Sequence, residues 1–320
     1  MQKAKKRFFS VTAVLLAVLV ALTALLPTAG AAQAATMRSK YTNKSYTHNA
    51  RFNKLEVLNG VDISAWQEKV NWKKIKNDGI DFAILRAGYG KNASQEDAYF
   101  ATNFKNATAA GLPVGIYWYS YAKSVADVEK EARLCLQVLG SRTLDLPVFY
   151  DLEESSQLNK GKAFCTQLVE HFCSIIAAAG HTPGLYMSRS PLLDYIEQET
   201  RGRYALWVAE YGSKTCKYDG DYLMWQYADN GKVAGVNGNT DMDFLYGNKN
   251  SLPGSATLLK SKTYTGKAIT PAPTVTGEDG QPLKADKDYT LTYINNKAVG
   301  MATITAQGLG AYTGRRWYYR

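Results

Sequence analysis

Residues 146–154 read Leu-Pro-Val-Phe-Tyr-Asp-Leu-Glu-Glu, a short apolar run that ends on acids. Asp and Glu are poor strand formers, so Asp151 and Glu153 at the end of such a run call for a reason beyond local propensity. Short apolar runs recur outward along the chain, at 61–63, 82–87, 113–119, 183–187, 205–209, 222–226 and 241–245. Helix-like segments lie between many of these runs, at 97–110, 125–139 and 161–179. Strands alternating with helices of this length indicate βαβ units around a parallel sheet. Eight candidate strands predict a closed α/β barrel. The last three lie close together and leave little room for helices, so the barrel is expected to be irregular near its end.

The regions flanking the barrel (56–250) differ from it. Lys3, Lys5, Lys6 and Arg7 precede an uncharged apolar run over 11–26, and Ala32-Gln33-Ala34 follows as a small-x-small site. This pattern predicts a secretory signal peptide over 1–34, hence a secreted protein with no membrane partner after cleavage; its association with a cell wall is expected from its charge. No later apolar run approaches the ~20 residues of a membrane helix. Residues 35–55 are polar and read as a flexible lead-in. A Ser/Pro/Gly linker at 251–256 introduces residues 257–320, where alternating runs punctuated by turns predict a small all-β module, a sandwich.

Loss of the leader lowers the formal charge from +10 to +6. That sign favours anionic polymers such as those of a cell wall. There is no dense Lys/Arg run and no recognition motif, so nucleic acid is not an expected partner. Cys135, Cys165, Cys173 and Cys216 match no zinc spacing. Cys165 and Cys173 fall about 12 Å apart along one expected helix and so should not pair; buried free thiols are the preferred reading of all four.

Four acids fall at or just beyond the carboxyl ends of candidate strands: Asp62, Asp151, Glu153 and Asp241. In α/β barrels this end holds the active site. Helix N-capping explains one or two such positions, but it explains Asp151 and Glu153 poorly. Residues two apart on a strand share a face, so these two project together with Cα atoms about 7 Å apart. Crowded carboxylates cannot both ionise easily, and one pKa should rise. A carboxyl raised in this way serves as a general acid, which glycoside hydrolysis needs beside a second negative group. Tyr117, Tyr119, Tyr186, Trp207 and Trp225 lie on the same set of strands. Their flat apolar surfaces suit sugar rings, although about half such aromatics would serve the core instead. Gln226 offers an amide to a hydroxyl or acetamido group. The three histidines give poor material for a nucleophile triad, and no Gly-x-Ser-x-Gly elbow, His-Glu-x-x-His zinc site or phosphate loop occurs. Neither a metal nor a cofactor is expected.

The segments GVDISAWQ (60–67), FAILRAGYG (82–90), GIYWYSYA (115–122), PVFYDLEE (147–154), PGLYMS (183–188), LWVAEY (206–211) and WQYADNGKVAGVNGNTDMDFLYG (225–247) together resemble glycoside hydrolase family 25, the N-acetylmuramidases. The resemblance spans about residues 57–250. It implies a flattened, irregular TIM-like β/α barrel and cleavage of the β-1,4 bond that follows N-acetylmuramic acid in peptidoglycan. Carried over by position, Glu153 is the general acid, and Asp151 positions substrate or stabilises positive charge. Asp62 supports the pair from the barrel floor, Asp241 is the acid of the last strand, and Asp243 follows it. Whether the substrate's acetamido group or a water attacks is left open. The tail at 264–314 more loosely resembles the Ig-like repeats of Gram-positive surface proteins. Two other readings stand beside this one. A chitinase-like or endo-N-acetylglucosaminidase barrel would show a longer acidic series on the strand at 146–153, which is missing. A wall-binding or adhesion protein would not need the intact carboxylates. A monomer is expected.

Overall fold

The computed structural model describes residues 34–53, 55–247 and, in the tail, 262–263, 265–275, 281–294, 296–297, 303–309 and 316–319. The expected leader (all but Ala34) and the expected linker lie outside them. The barrel is built from β3 (Glu56–Ile63), β4 (Phe82–Tyr89), β5 (Val114–Tyr119), β6 (Val148–Asp151), β7 (Pro183–Ser188), β8 (Ala205–Ala209), β9 (Met224–Gly231) and β10 (Thr240–Gly247). β3 to β9 run parallel in sequence order, and β10 closes the ring antiparallel to both β9 and β3. The helices between strands begin with α1 (Trp72–Asn77), α2 (Phe100–Ala109) and α3 (Val125–Leu139). They continue with α4 (Ser155–Leu158), α5 (Lys162–Ala178), α6 (Arg189–Tyr195) and α7 (Gln198–Arg203). Only loops join β8 to β9 and β9 to β10. The barrel is therefore irregular where the sequence crowds its last strands.

Strands covered on both faces read as near-continuous apolar runs, and Phe82-Ala83-Ile84-Leu85 is such a run. Successive side chains alternate between the barrel interior and the helices. Leu58, Phe82, Ile84, Phe149, Trp207, Met224 and Leu245 form one buried cluster inside the ring. Val61, Ala83, Leu85, Val148 and Tyr150 belong to a second cluster shared with Cys135, Leu168 and Phe172 of the helices. Tyr150 stacks on Phe172 with ring centroids 4.4 Å apart. The interior cannot take a large residue at every position. A Cβ on Gly60 would lie 2.1 Å from Phe82 Cζ, and one on Gly184 would lie 2.4 Å from Phe149 Cδ1. These two glycines let the phenyl rings fill the lower barrel.

The segment read as a flexible lead-in is ordered, and that expectation is corrected. β1 (Thr36–Arg38) pairs antiparallel with β2 (Ser45–Thr47). Tyr41, Tyr46, His48 and Phe52 are buried against the outside of β9 and β10. Tyr46 packs on Tyr227 at 4.5 Å, Phe52 stacks on Tyr246 at 3.9 Å, and His48 Nδ1 bonds the Tyr246 hydroxyl at 2.9 Å. Thr47 N donates to Lys214 O at 2.7 Å. A few widely spaced aromatics hold a segment whose average composition is polar. All four cysteines are buried and free, with Cys165 and Cys173 both on α5.

In the tail, β11 (Tyr289–Ile294), β12 (Thr303–Gly308) and β13 (Arg316–Tyr319) form one antiparallel sheet over Val275, Tyr289, Ile304 and Ala306. The second sheet that a sandwich requires is not among the described residues.

The tight fit at Gly184 has a measurable consequence. Gly184→Ala is expected to destabilise the barrel by about 1–3 kcal/mol, because Phe149 is walled in and has no room to yield. Urea unfolding followed by tryptophan fluorescence checks this; an unchanged midpoint would show that Phe149 can move aside.

Candidate active site

Pleat alternation carries the interior face upward from apolar layers to a polar top. Interior positions pair across the strands in register: Arg86 with Tyr117, Tyr119 with Asp151, Asp151 with Tyr186, Tyr186 with Trp207, Gln226 with Asp243, and Asp241 with Asp62. The result is a cavity of about 340 Å³ at the carboxyl ends of the parallel strands. Nine of the ten residues expected from sequence line it: Asp62, Asp151, Glu153, Asp241, Tyr117, Tyr119, Tyr186, Trp207 and Gln226. Trp225 does not, and this expectation is corrected. Gln226 faces inward, so its neighbour must face outward. Trp225 is fully buried against Tyr46, Tyr227 and Phe244, and its indole N–H donates to Glu210 O at 3.1 Å. Trp207 is only 2% exposed, so it forms the cavity floor rather than an open platform.

A chain of hydrogen bonds orders the acids. The Tyr186 hydroxyl donates to Gln226 Oε1 at 2.7 Å, and Tyr211 donates to the same oxygen. Gln226 Nε2 then donates to Asp62 Oδ2 at 2.7 Å. The Trp207 indole N–H donates to Asp243 Oδ1 at 2.8 Å. Asp243 Oδ2 is buried and finds no donor unless Asp62 carries a proton. Burial raises Asp62 well above the usual carboxylate range, and the charges of Asp241 and Asp243 raise it further. Burial, then the charge of Asp229, pushes Asp241 up to about 6.

Asp151 and Glu153 form the other half of the site. Asp151 is buried, and its Oδ1 has no hydrogen-bond partner. Burial raises its pKa well above normal and the charge of Glu153 adds to the shift, while Arg86 opposes it. Glu153 lies two residues past the end of β6 and opens to the cleft. The cleft walls still remove part of its hydration and raise its pKa, and the charge of Glu154 raises it further. The Tyr119 hydroxyl donates to Glu154 Oε1 at 2.7 Å.

Sequence reasoning missed several lining residues. Arg86 donates from Nε to Asp97 Oδ2 at 2.7 Å, and the same oxygen accepts from Ala65 N at 2.9 Å. Asp97 thereby fixes the short turn Ala65–Gln67, which a reciprocal cap between Ser64 and Gln67 also locks. That turn presents Trp66, 83% exposed, at the rim. Tyr211 stands on the loop after β8. A cation within an otherwise apolar strand was the available signal for Arg86. Nothing in the local pattern marks Trp66 or Tyr211.

One buried acid lies behind the site rather than in it. Glu131 of α3 is fully buried; Ser120 Oγ donates to its Oε2 at 2.8 Å and Tyr121 N to its Oε1 at 2.9 Å. Gln157 Nε2 donates to the same Ser120 Oγ at 2.8 Å. The network ties the loop after β5 to the segment that follows Glu153. Burial lifts the Glu131 carboxyl to about 7. An acid whose pKa is raised on folding stabilises most below its unfolded value, and that stability is lost as pH rises through the folded one. Asp62, Asp151, Asp241 and Asp243 act with the same sign. Glu131→Gln keeps the neutral form's shape and donor, so it is expected to remove on the order of 3 kcal/mol of the wild-type decline between about pH 4 and 7. Melting temperatures across that range check it; an unchanged slope would mean that Glu131 does not titrate there.

Comparison with known proteins places the chain in a family. The family model for glycosyl hydrolases family 25 matches residues 61–236. Protein YegX of Escherichia coli O157:H7 is 30% identical over 206 residues, covering 61% of this chain and 72% of YegX. The autolytic lysozyme of Clostridium acetobutylicum is 26% identical over 186 residues, covering 58% of this chain and 55% of that protein. The crystal structure of the CTP1L endolysin superposes with a TM-score of 0.53 at 27% identity, covering 59% of this chain and 66% of that one. The matched segment contains Asp62, Asp151, Glu153 and Gln226. This chain belongs to glycosyl hydrolases family 25 and is a glycoside hydrolase of the lysozyme type.

Proposed function

We propose that this chain acts outside the cell on peptidoglycan, cutting the β-1,4 bond between N-acetylmuramic acid and N-acetylglucosamine with Glu153 as general acid. The observation that carries this reading is the Asp151/Glu153 pair: one carboxyl opens to the cleft with a raised pKa, and the other is buried beside it with an unpartnered oxygen. Hydrolysis of a sugar bond needs a proton on the leaving oxygen and a negative group near the positive charge that develops on the ring. Glu153 supplies the proton. Asp151 Oδ1 faces no protein donor, so it is available to an acetamido N–H or to that developing charge. Arg86 limits the rise in Asp151's pKa and keeps the anionic form within reach. Asp62 and Asp241, ordered through Gln226, brace the opposite wall. Tyr117, Tyr119 and Tyr186 offer ring edges and hydroxyls to the sugar, with Trp66 and Tyr211 at the mouth. The autolytic-lysozyme relative supports the substrate class, and the basic, apolar, Ala-Gln-Ala leader supports export. A wall-binding protein without activity has no use for an acid of raised pKa at the mouth of the cleft.

Glu153→Gln keeps the shape and removes the transferable proton. It is expected to lower kcat on purified peptidoglycan by about 10²- to 10⁴-fold. Borohydride reduction of the wild-type digest should yield fragments ending in reduced muramic acid. Fragments ending in reduced glucosamine would reassign the bond, and full activity of the variant would remove Glu153 from its role.

The pH profile tests the neighbour. Cleavage requires Glu153 protonated, so activity is lost as pH rises through its pKa. Glu154→Gln deletes a charge that raises this pKa, and the amide can still accept from Tyr119. The alkaline limb of kcat is expected to move to lower pH; a limb that stays or moves up sinks the assignment.

A further inference from the structure

A second cavity, of about 430 Å³, adjoins the cleft and shares Tyr211 with it. Its size falls within the range of small-molecule sites. Three segments build it: the β1–β2 hairpin (Lys44, Ser45), the loop after β8 (Ser213, Lys214) and the end of β9 (Asp229). The hairpin precedes residue 61, so this wall is not part of the matched family segment. It is firmly mounted. Thr47 N donates to Lys214 O, Lys232 N donates to Tyr41 O at 3.0 Å, and Ser39 Oγ bonds the Tyr227 hydroxyl at 3.0 Å. Lys44 and Lys214 make no ion pair among the described residues, whereas eight other pairs are formed there. Against these two cations stands one carboxylate, Asp229, which sits toward Asp241.

We infer that this cavity is a cationic subsite for the carboxylates of the peptide carried by a muramoyl residue bound in the neighbouring cleft. The inference rests on the reading of that cleft as a peptidoglycan site. A sugar held beside Tyr211 directs its substituents either into solvent or across this residue into the cavity. Two unpaired lysines on a braced platform attract an anionic substituent there at no cost in broken ion pairs, and the attraction weakens with salt. A peptide carboxylate is the anion covalently attached to that sugar, so it enters at high effective concentration once the sugar is seated.

Calorimetry with the full chain tests this, using N-acetylmuramoyl peptide with free carboxylates and the same compound with its carboxylates amidated. Neither contains a bond to be cleaved. The wild type is expected to prefer the free acid by about fivefold at low salt. Lys44→Gln/Lys214→Gln should abolish that preference and leave binding of the amidated form unchanged. A wild type without preference, or a double variant that keeps it, overturns the subsite. Equal competition by a glycerol-phosphate oligomer overturns the carboxylate assignment. Peptide-free glycan strands separate the two levels: if the wild type releases no reducing ends from them, the reading of the cleft itself has failed, whatever the calorimetry shows.

Discussion

The antiparallel pairing of β10 with β3 closes the barrel, and the same pairing sets Asp241 directly beside Asp62. Asp243 follows two residues along on the same inward face. Three carboxyl groups are thus forced together by the register that completes the fold, and no slip can separate them. A one-residue shift would turn Phe244 and Leu245 inside out along with them. Asp62 answers part of the resulting repulsion by accepting from Gln226, and Asp243 by accepting from Trp207. Burial, which disfavours the charged form, raises all three carboxyls above their ordinary range, and the charge of Asp241 raises Asp62 and Asp243 further.

On the opposite side of the cavity, Asp151 and Glu153 repeat this arrangement with a difference in access. Asp151 is buried in the cavity wall between Tyr119 and Tyr186, while Glu153 is exposed to the cleft. Desolvation is the largest influence on both, and each carries a like charge as its next. Such an arrangement opposes folding, since these groups would ionise freely in the unfolded chain. The apolar layers beneath, from Leu58 to Met224, and the helix-facing cluster outside must offset it. Stability is traded locally for carboxyls whose pKa values are raised.

Much of this was legible in the sequence, because the barrel strands advertise themselves. Short apolar runs marked the strands, acids marked the polar tips of three of them, and the alternation rule placed Asp151 with Glu153. The same rule applied more strictly would have excluded Trp225, since Gln226 already claims the interior. The order of the lead-in is not legible for another reason: Tyr41, Tyr46 and Phe52 lie too far apart to show a period, and their burial comes from docking on β9 and β10. Trp66 and Tyr211 escaped notice because loop positions have no periodicity. Their placement follows from Asp97, thirty residues away, and from the hydroxyl that reaches Gln226.

The exposed aromatics around the cleft stand on segments tied by hydrogen bonds to buried groups. Trp66 sits on a turn with both ends capped and a buried carboxylate gripping its backbone. Tyr121 is exposed, yet its backbone N–H is tied to the buried Glu131. Tyr211 bonds back into the acid network. An apolar ring left in water on a mobile loop would lose its freedom on binding, at about 0.5–1.5 kcal/mol for each immobilised side chain. Rings whose backbone is already fixed lose less. The backbone that carries these rings is thus set at folding, before any ligand arrives.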